Sequence, residues 1–281
     1  MTVQLREMNA SDIEAGLRLC RAVGWNQLES DWRCFLDWNP LGCLVAVRDG
    51  VVVGTVATLR FEGRFGWISM VLVDPAVRGL GIGSALLRDA VRLLEDVETA
   101  RLDATPAGKA VYERYGFQDE YPLVRMRALG HTLDAAAPGA RPMAASDLPG
   151  ILDFDRAVFG ADRGALLHHL YRTAPEYAFI AESAGGIQGY SFGRHGFRAE
   201  HLGPVVAADE DSARGLLSLC LARNRGRQFS LDAPRHTGTW TRWLESLGFV
   251  EERPFVRMFR GSNAWPGIPG RQYAITGPEF G

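Results

Sequence analysis

Val73-Asp74-Pro75-Ala76-Val77-Arg78-Gly79-Leu80-Gly81-Ile82-Gly83 is the stretch from which the fold is read. Upstream, residues 67–73 form an apolar, β-rich run that ends at Asp74-Pro75, because proline cannot donate to a central ladder. Downstream, residues 84–95 set Leu86, Leu87, Ala90, Val91 and Leu94 on one helical face. The quoted residues therefore turn a strand into a helix. Glycines let successive backbone N–H groups come close to an anion, the helix points its positive end at the same place, and Arg78 adds a formal charge. A glycine-rich turn with no ligand is the plainer alternative. A dinucleotide loop of the Rossmann kind is disfavoured, since that loop follows the first strand of a parallel βαβ unit and this one follows a hairpin.

Working outward, residues 44–47 and 51–59 are β-rich runs joined through Asp49-Gly50, a hairpin signal. Ser11 with Glu14 three positions on reads as a capping box that opens a helix to about Ala22. Residues 101–104 read as a short strand, 110–115 as a short helix stopped by Gly116, and 123–127 as a last strand. The order predicts an α/β unit, a mixed and mostly antiparallel sheet flanked by helices.

The loop resembles the acyl-CoA pyrophosphate loop of the Gcn5-related N-acetyltransferases (GNAT), whose pattern of Arg or Gln, two residues, Gly, one residue, then Gly or Ala is met at Arg78, Gly81 and Gly83. Tyr112-Glu113-Arg114-Tyr115-Gly116-Phe117 is similar to that family's tyrosine ahead of a Gly-Phe pair. The family's usual Asn after the preceding strand is absent, with Thr105-Pro106 near its place. The resemblance implies an N-acyltransferase with acetyl-CoA, or another acyl-CoA, as co-substrate. It implies contacts from Met70, Val71, Val73, Arg78, Gly79, Leu80, Gly81, Ile82, Gly83 and Ser84. By the same resemblance the thioester lies in the splay between the strands at 67–73 and 101–104. Backbone N–H groups near Met70 and Val71 polarise its carbonyl, and Tyr112 gives the departing thiolate a proton.

For a general base the residues offer less. All six histidines lie at or beyond His131, which leaves Asp31 and Glu29 as the expected catalytic carboxylates, or a water chain, or a group reaching over from elsewhere. Asp103 is a weaker candidate because an equivalent, Asp232, persists where no chemistry is expected. Trp25, Asn26, Gln27 and Trp32 are expected near the acceptor, where the family places such contacts, or else in the core. The expected acceptor is a primary amine on a small molecule or peptide. A non-catalytic acyl-CoA sensor is the competing expectation.

The chain also repeats itself. Arg6, Met8, Ala10, Ser11 and Asp12 return as Arg141, Met143, Ala145, Ser146 and Asp147. Leu102-Asp103-Ala104 returns as Leu231-Asp232-Ala233. Gly116, Phe117, Glu120, Pro122, Val124, Arg125 and Met126 return as Gly248, Phe249, Glu252, Pro254, Val256, Arg257 and Met258. Collinear echoes of this kind mean a tandem duplication. The expected division is 1–129, a linker at 130–140, and 141–281. In the second copy Ala208, Asp209, Asp211 and Ala213 replace Arg78, Gly79, Gly81 and Gly83, and Leu244 stands against Tyr112. A carboxylate 4 Å from a phosphate charge repels by about 4 kcal/mol at an effective dielectric of 20, roughly a thousandfold in affinity. The second copy is thus expected to be degenerate: a scaffold, a wall of the acceptor pocket, or a regulatory site. The segment after Gly261 is expected to dock on a neighbouring surface.

Composition narrows the class. A formal net charge of -2 speaks against nucleic acid and against anionic membranes, both of which demand a cationic excess. Four unevenly spread cysteines without paired metal-ligand spacing and no recognisable leader give the expectation of a reduced, cytoplasmic setting with no metal, and no apolar run is long enough to span a bilayer. Oligomeric state is not legible.

Overall fold

The computed structural model describes residues 3–129, 139–236 and 238–281. Residues 130–138, most of the expected linker, lie outside the described residues. The first copy runs β1 (Val3–Glu7), α1 (Ile13–Ala22), α2 (Glu29–Trp38), β2 (Cys43–Arg48), β3 (Val51–Phe61), β4 (Phe65–Val73), α3 (Ile82–Leu93), β5 (Thr99–Ala104), α4 (Pro106–Arg114) and β6 (Gln118–Leu129). The second repeats that order as β7 (Ala140–Pro142), α5 (Leu148–Phe159), α6 (Gly164–Thr173), β8 (Phe179–Ser183), β9 (Gly186–Arg194), β10 (Glu200–Ala207), α7 (Glu210–Arg223), β11 (Gln228–Pro234), α8 (Gly238–Ser246) and β12 (Val250–Gly261). A short β13 (Gln272–Ala274) follows.

The first sequence echo has a local cause. Arg6 clamps both oxygens of Asp12 at 2.7 and 2.8 Å, and the same carboxylate takes the Asn9 N–H at 3.0 Å. Arg141 holds Asp147 in the same way, at 2.7 and 2.9 Å, with the Ala144 N–H. Each clamp ties the entry strand of a copy to the start of its first helix. This corrects the expected Ser11–Glu14 box. The cap belongs one turn earlier, where the Asn9 side chain accepts from the Ser11 N–H and Asp12 returns the bond. β1 escapes sequence reading because its five residues alternate without any fully buried position.

All strands join one sheet in the order β1-β2-β3-β4-β5-β12-β6-β11-β10-β9-β8-β7, with β13 against β10. At its centre the copies exchange strands: β12 pairs with β5 of the first copy, and β6 pairs with β11 of the second. β6 and β12 run antiparallel to each other, and Leu123 faces Phe255, its own counterpart in the repeat. A pseudo-twofold axis therefore passes through that pair. Two buried ion pairs fasten the exchange. Asp103 on β5 takes Arg257 of β12 at 2.9 and 2.9 Å, and Asp232 on β11 takes Arg125 of β6 at 2.8 and 2.7 Å. Both acids and both arginines belong to the sequence echoes, so the persistence of Asp232 is structural.

A shared apolar core seals the two copies together. Phe159 of α5 meets Phe61 and Phe65 edge-on at 5.0 and 5.4 Å, and Phe280 stacks on Phe35 at 5.0 Å. No helix among the described residues is long and apolar enough to cross a membrane.

Candidate functional site

β4 and β5 run parallel and pair only at Phe65 with Thr99, Gly66 with Ala100 and Trp67 with Arg101. Beyond Trp67 they part. β5 keeps β12 on its other side through Ala104, while β4 bulges: its ladder with β3 passes from Ala57–Ser69 to Thr55–Leu72. Met70 sits in the bulge with φ 53°, a left-handed conformation that costs a non-glycine residue about 1 kcal/mol or more. The Thr55 hydroxyl holds it there by donating to the Met70 carbonyl at 2.8 Å. A bulge of this kind turns main-chain groups out of the ladder and into the splay.

The loop after β4 completes one end of the site. Gly79 and Gly81 have φ of 82° and 76°, and a Cβ on either would meet nothing, so backbone conformation alone demands glycine there. Gly81 precedes α3 without any side-chain cap, and the first helical bond runs from the Ala85 N–H to the Gly81 carbonyl. The N–H groups of Ile82, Gly83 and Ser84 are left for an anion. A groove of about 800 Å³ leads from this loop to α4, lined by Val71, Val73, Arg78, Gly79, Gly81, Ile82, Gly83 and Ser84 on the strand–loop side and by Pro106, Val111 and Tyr112 on the other. The turn, the uncapped helix end and the open splay fit a long ligand with a diphosphate. Two residues of the expected set stand apart. Leu80 is 59% exposed and does not line the groove, and Met70 lines a smaller chamber beyond it.

That chamber, of about 70 Å³, is bounded by Trp25, Gln27, Ser69, Met70, Asp103, Tyr112, Arg125, Arg253, Phe255 and Glu279, among others. Trp25, Val71, Thr105, Tyr112 and Arg253 line both spaces and mark their junction. Tyr112 comes from α4, whose start is capped by Thr105 accepting from the Gly108 N–H. The helix is tied to α3 by the Tyr115 hydroxyl donating to the Ser84 carbonyl at 2.9 Å. Burial pushes the Tyr112 hydroxyl up to about 12, so it stays protonated.

The chamber's carboxylates are already engaged. Asp103 is held by Arg257, and Glu279 accepts from Arg194. Burial alone would raise the Glu279 carboxyl, but the Arg194 charge, with His201 and Arg125 behind it, holds it below the usual range. Arg125 is spent on Asp232. Arg253 alone of the chamber's charged groups makes no hydrogen bond or ion pair among the described residues, and its Nε is buried without a partner. Burial and then the Arg125 charge pull its pKa down.

The expected bases need correction. Asp31 lies outside both groove and chamber, accepting the Leu28 N–H at 2.6 Å and Arg194 at 3.1 Å. Glu29 is exposed on α2 and pairs with Arg33 one turn on. Neither faces the splay: Asp31 is buried against Arg194 of β9, and Glu29 lies in solvent. Asn26 is corrected as well: its amide binds the second copy's main chain at Arg198 and Ala199. Trp32 is fully buried core. Arg125, Arg253, Phe255, Pro278 and Glu279 went unanticipated: Arg253 and Phe255 arrive on the exchanged β12, Pro278 and Glu279 on the segment after Gly261, and Arg125 of β6 sits there only because β12 lies between β5 and β6; the Val-Arg-Met echo around Arg125 and Arg257 was the available signal.

The duplicate site is closed twice over. Asp209 caps α7 by accepting the Ser212 N–H at 2.8 Å, occupying the helix end that is open at α3. Asp209, Asp211 and Glu182 line its groove. The second splay, between β10 and β11, is filled by β13, which pairs with β10 at Val205 and Val206 while Ile275 bridges to Asp232. The segment after Gly261 thus plugs one splay before Pro278 and Glu279 reach the other copy's chamber.

Comparison with known proteins agrees with this geometry. The sequence profile of the acetyltransferase (GNAT) family matches residues 12–117, and that of an acetyltransferase (GNAT) domain matches residues 151–274. Holothin acyltransferase of Pseudoalteromonas sp. (strain SANK 73390) is 25% identical over 92% of this chain and 88% of its own length. The uncharacterized N-acetyltransferase YitH of Bacillus subtilis (strain 168) is also 25% identical, over 99% and 98%. Among solved structures, a Pyrococcus horikoshii protein superposes with a TM-score of 0.83 at 22% identity, covering 99% of this chain and 96% of that one. A tandem GNAT protein from the clavulanic acid biosynthesis pathway does so with a TM-score of 0.65 at 16% identity, over 92% and 98%.

Proposed function

Because this chain belongs to the Gcn5-related N-acetyltransferase family, carries that family's domain twice and is an acyl-CoA-dependent acyltransferase, we propose that it transfers an acetyl or other acyl group to a primary amine, and that the first copy alone does so. One observation carries the reading: the first splay is open with an uncapped helix end beside it, whereas the second is filled by β13 and capped by Asp209. In this proposal the duplicated units are 1–129 and 141–281, joined at 130–140, and the second lends walls rather than a second centre.

Arg78, the glycine turn and the N–H groups of Ile82, Gly83 and Ser84 hold the diphosphate of acyl-CoA. The co-substrate supplies an acyl thioester, which lies in the splay with its carbonyl against the main chain of Met70 and Val71. The acceptor nitrogen enters through the chamber and bonds to the carbonyl carbon; the carbon–sulfur bond breaks, and the sulfur takes a proton from Tyr112. Tyr112 regains its proton from solvent. The chamber is lined by no histidine, and its carboxylates are ion-paired. The amine therefore reacts from its neutral fraction, and the excess proton that its nitrogen carries once bonded to the carbonyl carbon passes to water.

The test couples thiol release from acetyl-CoA, over a panel of amines, with a calorimetric titration by CoA. Tyr112→Phe is expected to lower kcat by roughly ten- to a thousandfold, within or below the usual range for a lost general acid, with CoA affinity retained. One CoA per chain is expected. Two per chain, or full turnover in the folded Phe variant, would refute the assignment.

A further inference from the structure

We propose that Arg253, lent to the first copy by the exchanged strand β12, selects the acceptor, and that this acceptor is an aminocarboxylate whose anionic group docks on the Arg253 guanidinium. The inference rests on acyl transfer in the first copy and adds the class of amine it takes.

Arg253 stands directly across the ladder from Arg125. Like charges in that relation destabilise a sheet. Arg125 is relieved by its two bonds to Asp232, whereas Arg253 has no hydrogen bond or ion pair among the described residues and feels Asp232, Glu252 and Glu279 only at a distance; both guanidiniums lie against the ring of Phe255, at 5.3 and 4.9 Å.

The pseudo-twofold axis supplies an internal control. The position equivalent to Arg253 in the other copy is Tyr121, which pairs with Arg257 just as Arg253 pairs with Arg125. There the contact is closed, with Arg257 donating to the Tyr121 hydroxyl at 2.7 Å. Tyrosine at one position makes a satisfied pair, while arginine at its twin leaves a cation open to the chamber. The duplicated strands share the fold's requirements, so stability does not call for this arginine.

Two further atoms in the same chamber lack partners. Gln27 is only 4% exposed and its Oε1 is buried and unpaired; Ser69 is 7% exposed and its Oγ is likewise unpaired. Buried polar atoms without partners are costly, and a ligand that satisfies them recovers that cost. An amine bearing a carboxylate meets all three: its N–H donates to the Gln27 amide oxygen, and its carboxylate takes Arg253 and the Ser69 hydroxyl. Arg253 also lines the junction with the groove, where the nitrogen has to reach the thioester. Amine and carboxylate therefore have to lie close together in one compact head.

The experiment uses the full chain with glycine against glycinamide, β-alanine against β-alaninamide, and L-phenylalanine against its amide. Thiol release is measured with acetyl-CoA, and binding of each compound is measured calorimetrically with CoA present. The wild-type protein should favour at least one carboxylate over its amide, and Arg253→Met and Arg253→Tyr should reduce that preference about ten- to a hundredfold, mainly through KM, as expected for one lost charge-assisted bond. Comparing the ratio in wild type with that in each variant cancels the difference in amine basicity. The Tyr variant copies the twin position and keeps the fold. Equal or absent binding of both members of every pair, a preference that survives in the variants, or variants that lose CoA affinity instead, would each overturn the proposal. Selective binding of carboxylates with no thiol released by any amine would uphold the recognition and remove the acyl-transfer reading.

Discussion

Tyr112 and His201 illustrate how burial sets what single residues do. With its pKa pushed up to about 12, Tyr112 keeps its proton through the working range. On the proposed mechanism kcat/KM should climb with pH until the acceptor amine's own pKa is passed, with no fall below about pH 11 from loss of the acid. A pH–rate profile on a single amine checks this, and a descending limb near neutrality would point to a different proton donor. His201 is fully buried, its Nε2 without a hydrogen bond and 3.8 Å from the Asp232 carboxylate, and burial, then the Arg194 charge, lowers its pKa to about 4. The unfolded chain, with histidine near 6.5, binds the proton first as pH falls. Stability is thus whole above pH 6.5 and declines toward pH 4, with about 2 kcal/mol gone by pH 5. Thermal unfolding of wild type and His201→Gln at pH 7 and pH 5 tests it. An equal drop in both would exclude His201 as the source.

Among the elements, the turn into α3 is the one most completely written in its own residues. Gly81 needs a positive φ that costs an L-residue roughly 1–2 kcal/mol, and the space around it is open. Gly81→Ala should therefore weaken CoA binding about tenfold by unwinding the turn, while Gly81→Asn, which tolerates that conformation better, should retain most of the affinity. Calorimetry with CoA decides; equal losses in both variants would mean that side-chain bulk, not backbone, is at issue. The hairpin at Asp49-Gly50 and β4 were similarly legible, since periodicity and punctuation act over a few residues, whereas α4 is read only from 110 although Thr105 caps it and it starts at Pro106. β1 and β13 were not. Each is short and is stabilised by a distant neighbour, β2 in one case and β10 in the other.

At the scale of the whole molecule the decisive feature is the exchange of β6 and β12. Residues 1–129 alone would leave β5 and β6 without β12 between them and Asp103 buried without Arg257. Removing one partner of a buried ion pair costs about 3–5 kcal/mol. That fragment is expected to aggregate or to pair with itself through the exposed edges. Size-exclusion chromatography with circular dichroism checks this, and a monomer with a cooperative melt would count against it. What the residues determined by themselves was the duplication, most strands and helices of the first copy, the anion-binding turn and the loss of that turn in the second copy, because turns and periodicity act within about a dozen positions and the repeat is read by laying one half of the sequence on the other. Only the tertiary structure decided which strand lies beside β5, that β13 plugs the second splay, and that Arg253 and Glu279 reach the first copy's chamber. β6 and β12 carry the same Val-Arg-Met pattern and compete for the same places. Only the packing of the complete sheet distinguishes the two arrangements.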